Sequence, residues 1–244
     1  MTTSKPLISV IMPVYNGGST IRQAVESVFC QNIPLELLVI DQTSEVLSVY
    51  QDRPDFHYLK NPHNIGAAAS RNRGVQEAHG QYVAFLDADD WWENGKLLLQ
   101  LDTLHETGRV LCSTGRELMN YDGTPAGKYI PVKETVSYRD LLKHNSINCS
   151  SVLLLRDVAA EFPMEHDDSH EDYLTWLKIL RKYGPAAGID RPLLKYRMSK
   201  TSKSGDKKKS AIMTYKVYRY MGYSHMRCIL YFISYAIHGF WKYR

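Results

Sequence analysis

The most informative segment of the chain is Tyr82 to Trp91, with the sequence YVAFLDADDW. Its first five residues are apolar, and three carboxylates, Asp87, Asp89 and Asp90, follow within four positions. A run that is apolar at every position indicates an inner strand of a parallel sheet, because both faces of such a strand are buried. Open α/β sheets bind their ligands at the carboxyl ends of their strands. We therefore expect the three carboxylates at a ligand-binding edge.

The acidic cluster predicts a metal site. Crowded Asp side chains repel one another unless a cation or a bound proton relieves the repulsion. Hard oxygen ligands suit Mg²⁺ or Mn²⁺, and such ions usually hold phosphates. The alternative is a solvated acidic turn that caps the next helix. The adjacent aromatic pair Trp91-Trp92 disfavours this alternative, because an exposed turn would not need two indole rings.

Alternating strands and helices surround this stretch. Apolar runs predict strands at 7–12, 35–40, 56–59 and 82–86, and helical patterns occur at 21–29 and 66–79. Further along, the patterns predict helices at 96–107, 138–144 and 170–183, strands at 110–114, 151–155 and 193–197, an acidic loop at 163–169 and a polar linker at 199–210. The order β-α-β-β-α-β predicts an α/β fold with a mostly parallel central sheet and helices on both faces.

The composition is that of an ordinary globular protein. The 244 residues are 44% hydrophobic and 23% charged, which is enough to bury a large core. The four cysteines, Cys30, Cys112, Cys149 and Cys228, form no CxxC pair and indicate neither a zinc site nor a disulfide framework. Three of them lie in apolar surroundings, so we expect buried thiols and a reducing compartment. No signal peptide is expected, because a strand pattern follows Pro6 directly.

The charge is unevenly distributed along the chain. Residues 200–244 hold 10 of the 30 Lys and Arg residues and one of the 26 Asp and Glu residues, so their balance is +9 and that of residues 1–199 is −5. A basic tail of this kind seeks polyanions, either nucleic acid or an anionic membrane surface. Because no RNA-binding signature such as an aromatic RNP motif is present, no nucleic-acid partner is expected.

Residues 211–244 also have a helical, tyrosine-rich pattern. One apolar stripe contains Ile229, Phe232, Ile233, Ala236, Ile237 and Phe240. The apolar run 228–241 is shorter than the roughly 20 residues that cross a bilayer. Its aromatic residues and flanking basic residues suit a helix that lies in the membrane interface. The alternative is a helix packed on the domain or on a second subunit of a homodimer.

Several short motifs follow one another in a recognisable order. They are VIMPVYN at 10–16, LVID at 38–41, NIG at 64–66 with Ala69, Arg71 and Asn72, GQY at 80–82, FLDADD at 85–90, Glu171-Asp172 with Trp176, and Tyr196-Arg197. In this order and spacing the chain resembles family 2 glycosyltransferases of the GT-A fold, especially bacterial enzymes that build surface polysaccharides. The resemblance covers about residues 5–204 and leaves out the tail.

The resemblance implies a nucleotide-sugar donor, a divalent metal, Mn²⁺ or Mg²⁺, and a sugar-hydroxyl acceptor. It places at the donor Pro13, Val14, Tyr15, Asp41, Gln42, Arg71, Asp87, Ala88 and Asp89. Asp89 is implied as the direct metal ligand, and Asp87 as a contact to the ribose or the metal. Simple packing is the alternative for Tyr15, a turn for Asp41 and a surface salt bridge for Arg71.

Asp172 is the residue that the resemblance implies as the general base. It lies in the first turn of a predicted helix, where the positive end of the helix dipole favours the ionised carboxylate. A base must reach the acceptor hydroxyl and be ionised at the working pH. The alternative is that Glu171 and Asp172 only complement the dipole. Direct attack opposite the leaving group would turn an α-linked donor sugar into a β-glycoside.

Two positions depart from the family pattern. Relatives usually carry a second acid after Asp41 that contacts uracil, but Gln42 stands here, and an amide both donates and accepts hydrogen bonds. A UDP-sugar is still expected. Relatives also often carry a His where this chain has Ser199. The role of that His would then be absent or filled by Lys200 or Lys203.

The domain organisation and location follow from the resemblance and the tail together. We expect a GT-A catalytic domain over 1–204, with a nucleotide-sugar half over 1–115 and an acceptor half over 116–204, and a basic helical tail over 205–244. The expected reaction transfers a hexose to a lipid-linked oligosaccharide during surface-polysaccharide biosynthesis. We expect the protein in the cytoplasm, bound peripherally at the inner face of a bacterial membrane.

Other interpretations of the acidic residues are weaker. Glu165, His166, Asp167, Asp168 and His170 could form a metal site or contact the acceptor, although most loops of this composition are only solvated. A phosphatase of the haloacid dehalogenase type also uses Asp-x-Asp after an apolar strand, but there the pair ends the first strand of the fold. A dinucleotide-binding dehydrogenase is disfavoured because Asn16-Gly17-Gly18-Ser19 is not a GxGxxG motif.

Overall fold

The computed structural model describes residues 6–15, 17–41, 45–198 and 206–242. Gln42, Ser199, Lys200 and Lys203 lie outside these ranges. The strands are β1 (Ile8–Pro13), β2 (Leu35–Asp41), β3 (Phe56–Lys60), β4 (Tyr82–Phe85), β5 (Trp91–Trp92), β6 (Leu111–Met119), β7 (Pro125–Ile130), β8 (Thr135–Val136), β9 (Leu153–Leu155) and β10 (Ala186–Arg197). The α-helices are α1 (Ile21–Phe29), α2 (Gly66–Glu77), α3 (Lys96–Thr107), α4 (Tyr138–Lys143), α5 (Arg156–Glu161), α6 (Glu171–Tyr183), α7 (Lys207–Tyr220) and α8 (His225–Lys242).

The strands form one sheet in the order β3-β2-β1-β4-β9-β6-β10-β5, with β7 added to β6 and β8 to β10. β1 pairs in parallel with β2 and β4, and β2 pairs in parallel with β3. This part confirms the parallel sheet that the apolar runs predict. β9 then lies antiparallel to both β4 and β6, so the sheet beyond β4 is mixed. The carboxyl ends of β1 and β4 consequently meet at one edge.

Helices cover both faces of the sheet, as predicted. Because successive side chains of a strand point to opposite faces, Val10 and Met12 join a core that contains residues of α1 and α3. Ile11 and Phe85 join the core on the other face, which contains residues of α2, α4, α5 and α6. Burial of each large apolar side chain stabilises the fold by about 1.5–3 kcal/mol. The two cores hold the ligand-binding edge of the sheet rigidly between them.

α2 lies very close to β1 because Gly74 faces that strand. A Cβ atom on Gly74 would lie 2.4 Å from Cγ2 of Ile11, well inside van der Waals contact. Only glycine therefore allows this approach without a shift of the helix. The close contact also fixes Arg71, which lies one turn earlier on α2, near the end of β4.

The tail consists of two helices that pack on the domain. α7 begins at Lys207 with Asp206 as its N-cap, so the prediction of a linker continuing to residue 210 is wrong at its end. The Asp206 carboxylate accepts hydrogen bonds from the free amides of the first turn, which is why the helix begins there. Met213 and Tyr218 of α7 and Cys228 of α8 are buried. Within the described residues, no helix combines the length and apolarity needed to cross a bilayer.

Candidate active site

A cleft of about 630 Å³ opens at the carboxyl ends of β1 and β4. It is lined by the loop after β1, by the acidic turn after β4 and by the first turns of α2 and α6. Helix N-termini carry partial positive charge and unpaired N–H groups, so their convergence here suits an anionic ligand. The cleft thus joins segments that are far apart in the sequence.

The loop after β1 lies at the cleft as predicted. Pro13, Val14 and Tyr15 line it, with Val14 buried and the Tyr15 side chain 62% exposed. The exposed ring of Tyr15 is available to a ligand, so packing against the next helix does not explain it. Asp41 differs from this group because it is fully buried, accepts a hydrogen bond from the Tyr58 hydroxyl at 3.2 Å and does not line the cleft.

The acidic turn after β4 presents two carboxylates to the cleft and buries the third. Asp87 and Asp89 line the cleft together with Ala88. Asp90 is buried, and its Oδ1 accepts a hydrogen bond of 2.9 Å from the backbone N–H of Arg197. Burial, followed by the charges of Asp89 and Asp87, raises the pKa of Asp90 well above its usual range. Asp90 therefore supports the turn from within.

The two half-buried carboxylates that line the cleft, those of Asp87 and Asp89, fit a divalent ion that a ligand helps to hold. Burial, and after it the neighbouring charge of Asp87, raises the pKa of Asp89 to about 6, and a bound cation would favour the ionised carboxylate. In the described part of the chain, no group of three or more His, Cys, Asp or Glu side chains is arranged to hold an ion. Mg²⁺ and Mn²⁺ sites commonly use one or two carboxylates plus the phosphates of a substrate.

Arg71 connects the acidic turn with the first turn of α6. Its side chain is buried, with Nη2 2.6 Å from Oδ1 of Asp87 and Nη1 3.4 Å from Oε1 of Glu171. The predicted alternative of a surface salt bridge is wrong, because both Arg71 and Glu171 are withdrawn from solvent. A buried cation between two carboxylates is stable only when all three remain in place.

Asp172 lies at the cleft beside this ion-pair network. It is half-buried in the first turn of α6, and the helix is anchored in the core by Tyr173 and Trp176. Burial and the charge of Glu171 raise the pKa of Asp172, while Arg71 opposes that shift. A carboxylate with a raised pKa is, in its ionised form, a stronger proton acceptor than an ordinary Asp. The position and the environment both suit a general base.

The acidic loop before α6 is held by ion pairs. Glu165 lies 2.8 Å from Lys178, and Asp168 lies 2.7 Å from Lys216 of α7. The ring of His166 stacks on Tyr220 with 3.7 Å between the centroids. These contacts join the loop to α6 and to the tail, so the tail supports the segment that carries Asp172. Of the five residues that the sequence singles out here, His170 lines the cleft.

Arg197 holds the acidic turn from the opposite side. Its Nε donates to the carbonyl of Asp89 at 2.9 Å, Nη1 to the carbonyl of Tyr121 at 2.6 Å, and Nη2 to Oε1 of Gln23 at 2.7 Å. The motif Tyr196-Arg197 carries the resemblance, but the sequence gives no sign of these three partners. Three segments distant in sequence are thereby fixed around one guanidinium group.

Tyr121 is a cleft residue that sequence reasoning missed. Tyr121 lies in the turn that joins β6 to β7. The pairing of these two strands places Tyr121 in the lining of the cleft. Only the alternation pattern of a second strand after the turn could have indicated this placement, and β7 carries that pattern weakly.

Comparisons with known proteins agree with this geometry. The family model described as "Glycosyl transferase family 2" matches residues 9–161. A Bacillus subtilis protein described as a teichuronic acid biosynthesis glycosyltransferase, TuaG, is 37% identical over 97% of both chains. The Escherichia coli protein WfgD, named a UDP-Glc:alpha-D-GlcNAc-diphosphoundecaprenol beta-1,3-glucosyltransferase, is 32% identical over 97% of this chain and 94% of its own.

A solved structure supports the fold. The structure of Staphylococcus aureus TarS 1–349 in complex with UDP-GlcNAc aligns with a TM-score of 0.66 at 16% identity. The alignment covers 86% of this chain and 65% of the TarS chain. At this identity the likeness concerns the fold alone, and the fold agrees with the GT-A expectation.

Proposed function

The chain belongs to glycosyl transferase family 2, and on that premise we propose that it is an inverting, metal-dependent hexosyltransferase acting on a lipid-linked acceptor. It is a glycosyltransferase of polysaccharide biosynthesis. This family membership excludes the phosphatase, dehydrogenase and nucleic-acid-binding interpretations of the sequence. One observation supports the finer proposal above all. The Asp87–Asp89 turn and Asp172 line the same cleft, and buried Arg71 bridges Asp87 with Glu171, the neighbour of Asp172.

The proposed donor is a UDP-hexose. The E. coli relatives WfgD and WfaP are named for UDP-Glc, and the TarS structure was solved with UDP-GlcNAc. Tyr15 offers an exposed aromatic face on which the base could stack, and Val14 adds an apolar side chain to the cleft lining. Arg71 acts in this proposal by orienting Asp87, because its buried guanidinium faces protein carboxylates.

Asp89 and Asp87 are the proposed ligands of Mn²⁺ or Mg²⁺. When bound, the ion would neutralise the charge that develops on the departing nucleoside diphosphate. Asp90 and Arg197 contribute by holding the turn, since the Asp90 carboxylate accepts a hydrogen bond from the backbone N–H of Arg197 and the Arg197 guanidinium donates one to the carbonyl of Asp89. The two ligands are therefore presented in one geometry before the donor arrives, which lowers the cost of binding.

Asp172 is the proposed general base. Its carboxylate takes the proton of the acceptor hydroxyl as that oxygen attacks the anomeric carbon of the donor. The bond from that carbon to the diphosphate oxygen breaks, and the nucleoside diphosphate leaves with the bonding electrons. Because the attacking and leaving oxygens lie on opposite sides of the carbon, an α-linked donor gives a β-glycoside.

The proposed acceptor is a sugar of a lipid-linked oligosaccharide. WfgD and WfaP are both named for transfer to GlcNAc-diphosphoundecaprenol, and this chain matches each over 97% of its length. An acceptor carried on a lipid requires that the cleft work close to a membrane. The proposed place of action is therefore the cytoplasmic face of a bacterial inner membrane.

The outer face of α8 suits contact with such a membrane. Met226, Ile229, Leu230 and Ile233 are 50–77% exposed on one side of the helix, while Cys228 on the opposite side is buried. The residues of the predicted stripe therefore differ in environment. Ile229 and Ile233 are exposed, whereas Phe232 packs partly against the core. An apolar stripe within residues 200–244, whose net charge is +9, suits an anionic bilayer surface.

A donor screen tests the proposed function directly. Purified protein would be incubated with Mn²⁺, a panel of nucleotide sugars and a short-chain GlcNAc-diphospholipid, and release of nucleoside diphosphate would be measured. We expect release with one UDP-hexose, loss of activity with EDTA and recovery with Mn²⁺ or Mg²⁺. Asp89→Ala should abolish transfer, whereas Asp157→Ala, which removes an exposed carboxylate on α5, should not.

Two results would contradict parts of this proposal. Full turnover in a metal-free preparation would exclude the role given to Asp87 and Asp89. An α-configured product from an α-linked donor, seen in the anomeric proton coupling of its NMR spectrum, would exclude single displacement. Inactivity with every nucleotide sugar would contradict the proposal as a whole.

A further inference from the structure

We propose that Tyr121 forms a subsite for a pyranose ring at the mouth of the cleft. The inference rests on the proposed function, because it assumes that sugars enter this cleft. Neither the sequence motifs nor the family match includes a role for this residue. The ring could receive a sugar of the acceptor or the hexose of the donor, and the experiment below distinguishes these sources.

The first observation is the exposure of the Tyr121 ring. Tyr121 lines the cleft, yet its side chain is 73% exposed. Its neighbours in the turn, Asn120, Asp122, Gly123 and Thr124, are of the kinds that favour turns and tolerate water. The ring is therefore open to contact with a ligand that enters the cleft.

The second observation is that the turn is rigid. The Asp122 carboxylate accepts hydrogen bonds from the backbone N–H and the hydroxyl of Thr124, at 2.9 and 2.7 Å. The backbone N–H of Asn120 donates to the carbonyl of Thr124 at 2.8 Å, and Gly123 closes the turn with a positive φ of 87°. A ring on a rigid turn loses little conformational freedom when a ligand binds.

The third observation is the link between this turn and the acidic turn. Arg197 donates one hydrogen bond to the carbonyl of Tyr121 and another to the carbonyl of Asp89. Its guanidinium group also lies 4.9 Å from the ring centre of Trp91, which fixes its plane. The backbone of Tyr121 is therefore tied to the backbone of the turn that carries the proposed metal ligands.

The chemistry of the ring selects a sugar as its ligand. The face of an aromatic ring is electron-rich, and it attracts the partly positive C–H groups on the apolar face of a pyranose. The phenol hydroxyl can also bond a sugar hydroxyl. Tyr15, the other highly exposed aromatic residue of the cleft, is already implied for the nucleotide base. Tyr121 is thus available for the saccharide part of a substrate.

Steady-state kinetics of Tyr121→Ala tests this subsite. UDP-glucose and a short-chain GlcNAc-diphospholipid would be varied in turn, with Tyr121→Phe and Tyr183→Ala as comparison variants. Loss of a buried aromatic contact typically costs more than 1 kcal/mol, so we expect KM to rise about 5- to 30-fold. Tyr121→Phe should stay within about threefold of wild type, because the ring carries most of the contact. Tyr183→Ala removes an exposed ring outside the cleft and should leave KM unchanged.

The pattern of KM values identifies the sugar and decides the proposal. A rise for the diphospholipid alone assigns the ring to the acceptor, and a rise for UDP-glucose alone assigns it to the donor. Unchanged KM values for both substrates in Tyr121→Ala would overturn the subsite while leaving the proposed transferase intact. A fall in kcat with unchanged KM would also overturn it, because that pattern indicates a structural role of the turn. If wild-type protein transfers no sugar, the proposed function itself fails.

Discussion

Arg71 links the two segments of the cleft to which we assign the donor and the acceptor. Its guanidinium lies between Asp87 of the acidic turn and Glu171 of α6. Removing one partner of a buried ion pair typically costs about 3–5 kcal/mol, because the remaining charge is left without compensation. The sequence predicts that Arg71 serves the site, but it cannot show the bridge. Glu171 is 100 positions away, and only the close packing of α2 brings the two residues together.

Individual cleft residues could be predicted where the neighbouring sequence has a distinctive pattern of residue types. Three carboxylates after an apolar strand predict a ligand edge whatever the rest of the chain does, and Asp87 and Asp89 do line the cleft. Tyr121 carries no such mark, since turns containing Asp and Gly occur throughout proteins. Asp41 also ends a strand and stays a predicted donor contact, but it is buried, accepts a hydrogen bond from the Tyr58 hydroxyl and does not line the cleft.

Lys96 gives a prediction for the pH dependence of stability. It is fully buried, its Nζ donates to Gln100 at 2.6 Å, and burial lowers its pKa to about 7. The unfolded chain keeps a lysine pKa near its usual value, about 10.4, so it binds more protons than the folded chain above pH 7. The free energy of unfolding should therefore rise by about 2 kcal/mol between pH 7 and pH 9 from this group.

Urea unfolding of wild type and Lys96→Met at both pH values measures this contribution. The variant keeps an unbranched side chain over the Trp92 ring, which lies 4.1 Å from Nζ, and has no proton to lose. Its free energy of unfolding should change less with pH than that of wild type. The window ends at pH 9, because burial raises the pKa of Cys112 to about 12, and the ionisation of this thiol in the unfolded chain offsets the Lys96 trend above the usual thiol pKa. Equal pH dependence in the two proteins would show that Lys96 is not the source.

At the scale of elements, helices and strands with a clear hydrophobic pattern could be predicted from the sequence, and those with a weak hydrophobic pattern could not. β7 is an edge strand whose residues Pro125–Ile130 are mostly exposed, so it lacks an apolar run. α5 is six residues long, too short for a helical period to stand out. β10 begins at Ala186, earlier than predicted, because Asp190-Arg191-Pro192 reads as a turn. The strand continues through it with a register shift between Ile189 and Leu194.

The two tail helices differ in how far their apolar side chains are buried. α7 buries Met213, Val217 and Tyr218, so removal of residues 211–244 would expose the core as well as remove the proposed membrane contact. α8 offers a cleaner test because Ile229 and Ile233 lie on its outer face, at least half exposed. Changing both to serine removes apolar area without opening the core.

The double variant Ile229→Ser/Ile233→Ser should bind anionic vesicles less tightly than wild type. Each buried isoleucine contributes about 1.5–3 kcal/mol, so the loss in affinity should be at least tenfold, about 1.4 kcal/mol. Co-sedimentation with phosphatidylglycerol vesicles measures this, and Leu98→Ser on α3 serves as a matched exposed control. If vesicle binding is unchanged and the variant instead loses a dimer seen by light scattering, α8 is a subunit contact.

At the scale of the whole molecule, the parallel half of the sheet carries the turn proposed to bind the donor, and the domain built on the mixed half carries the proposed base. β9, which lies antiparallel between β4 and β6, joins the two halves, and α6 packs over that junction with Trp176 against Phe85. The sequence predicts both halves through the family resemblance. Their relative placement depends on long-range packing that no single motif records.

The measurement that tests this assembly most directly is the turnover of Asp172→Asn. Asparagine keeps the volume of the side chain but cannot take a proton, so turnover with UDP-hexose and lipid-linked acceptor should fall by about 10²–10⁴-fold. Donor affinity should stay close to wild type, because Asp172 belongs to α6 and the proposed donor ligands belong to the turn after β4. Near-wild-type turnover of Asp172→Asn would contradict the base assignment and transfer it to Glu171 or to an acid of the loop before α6.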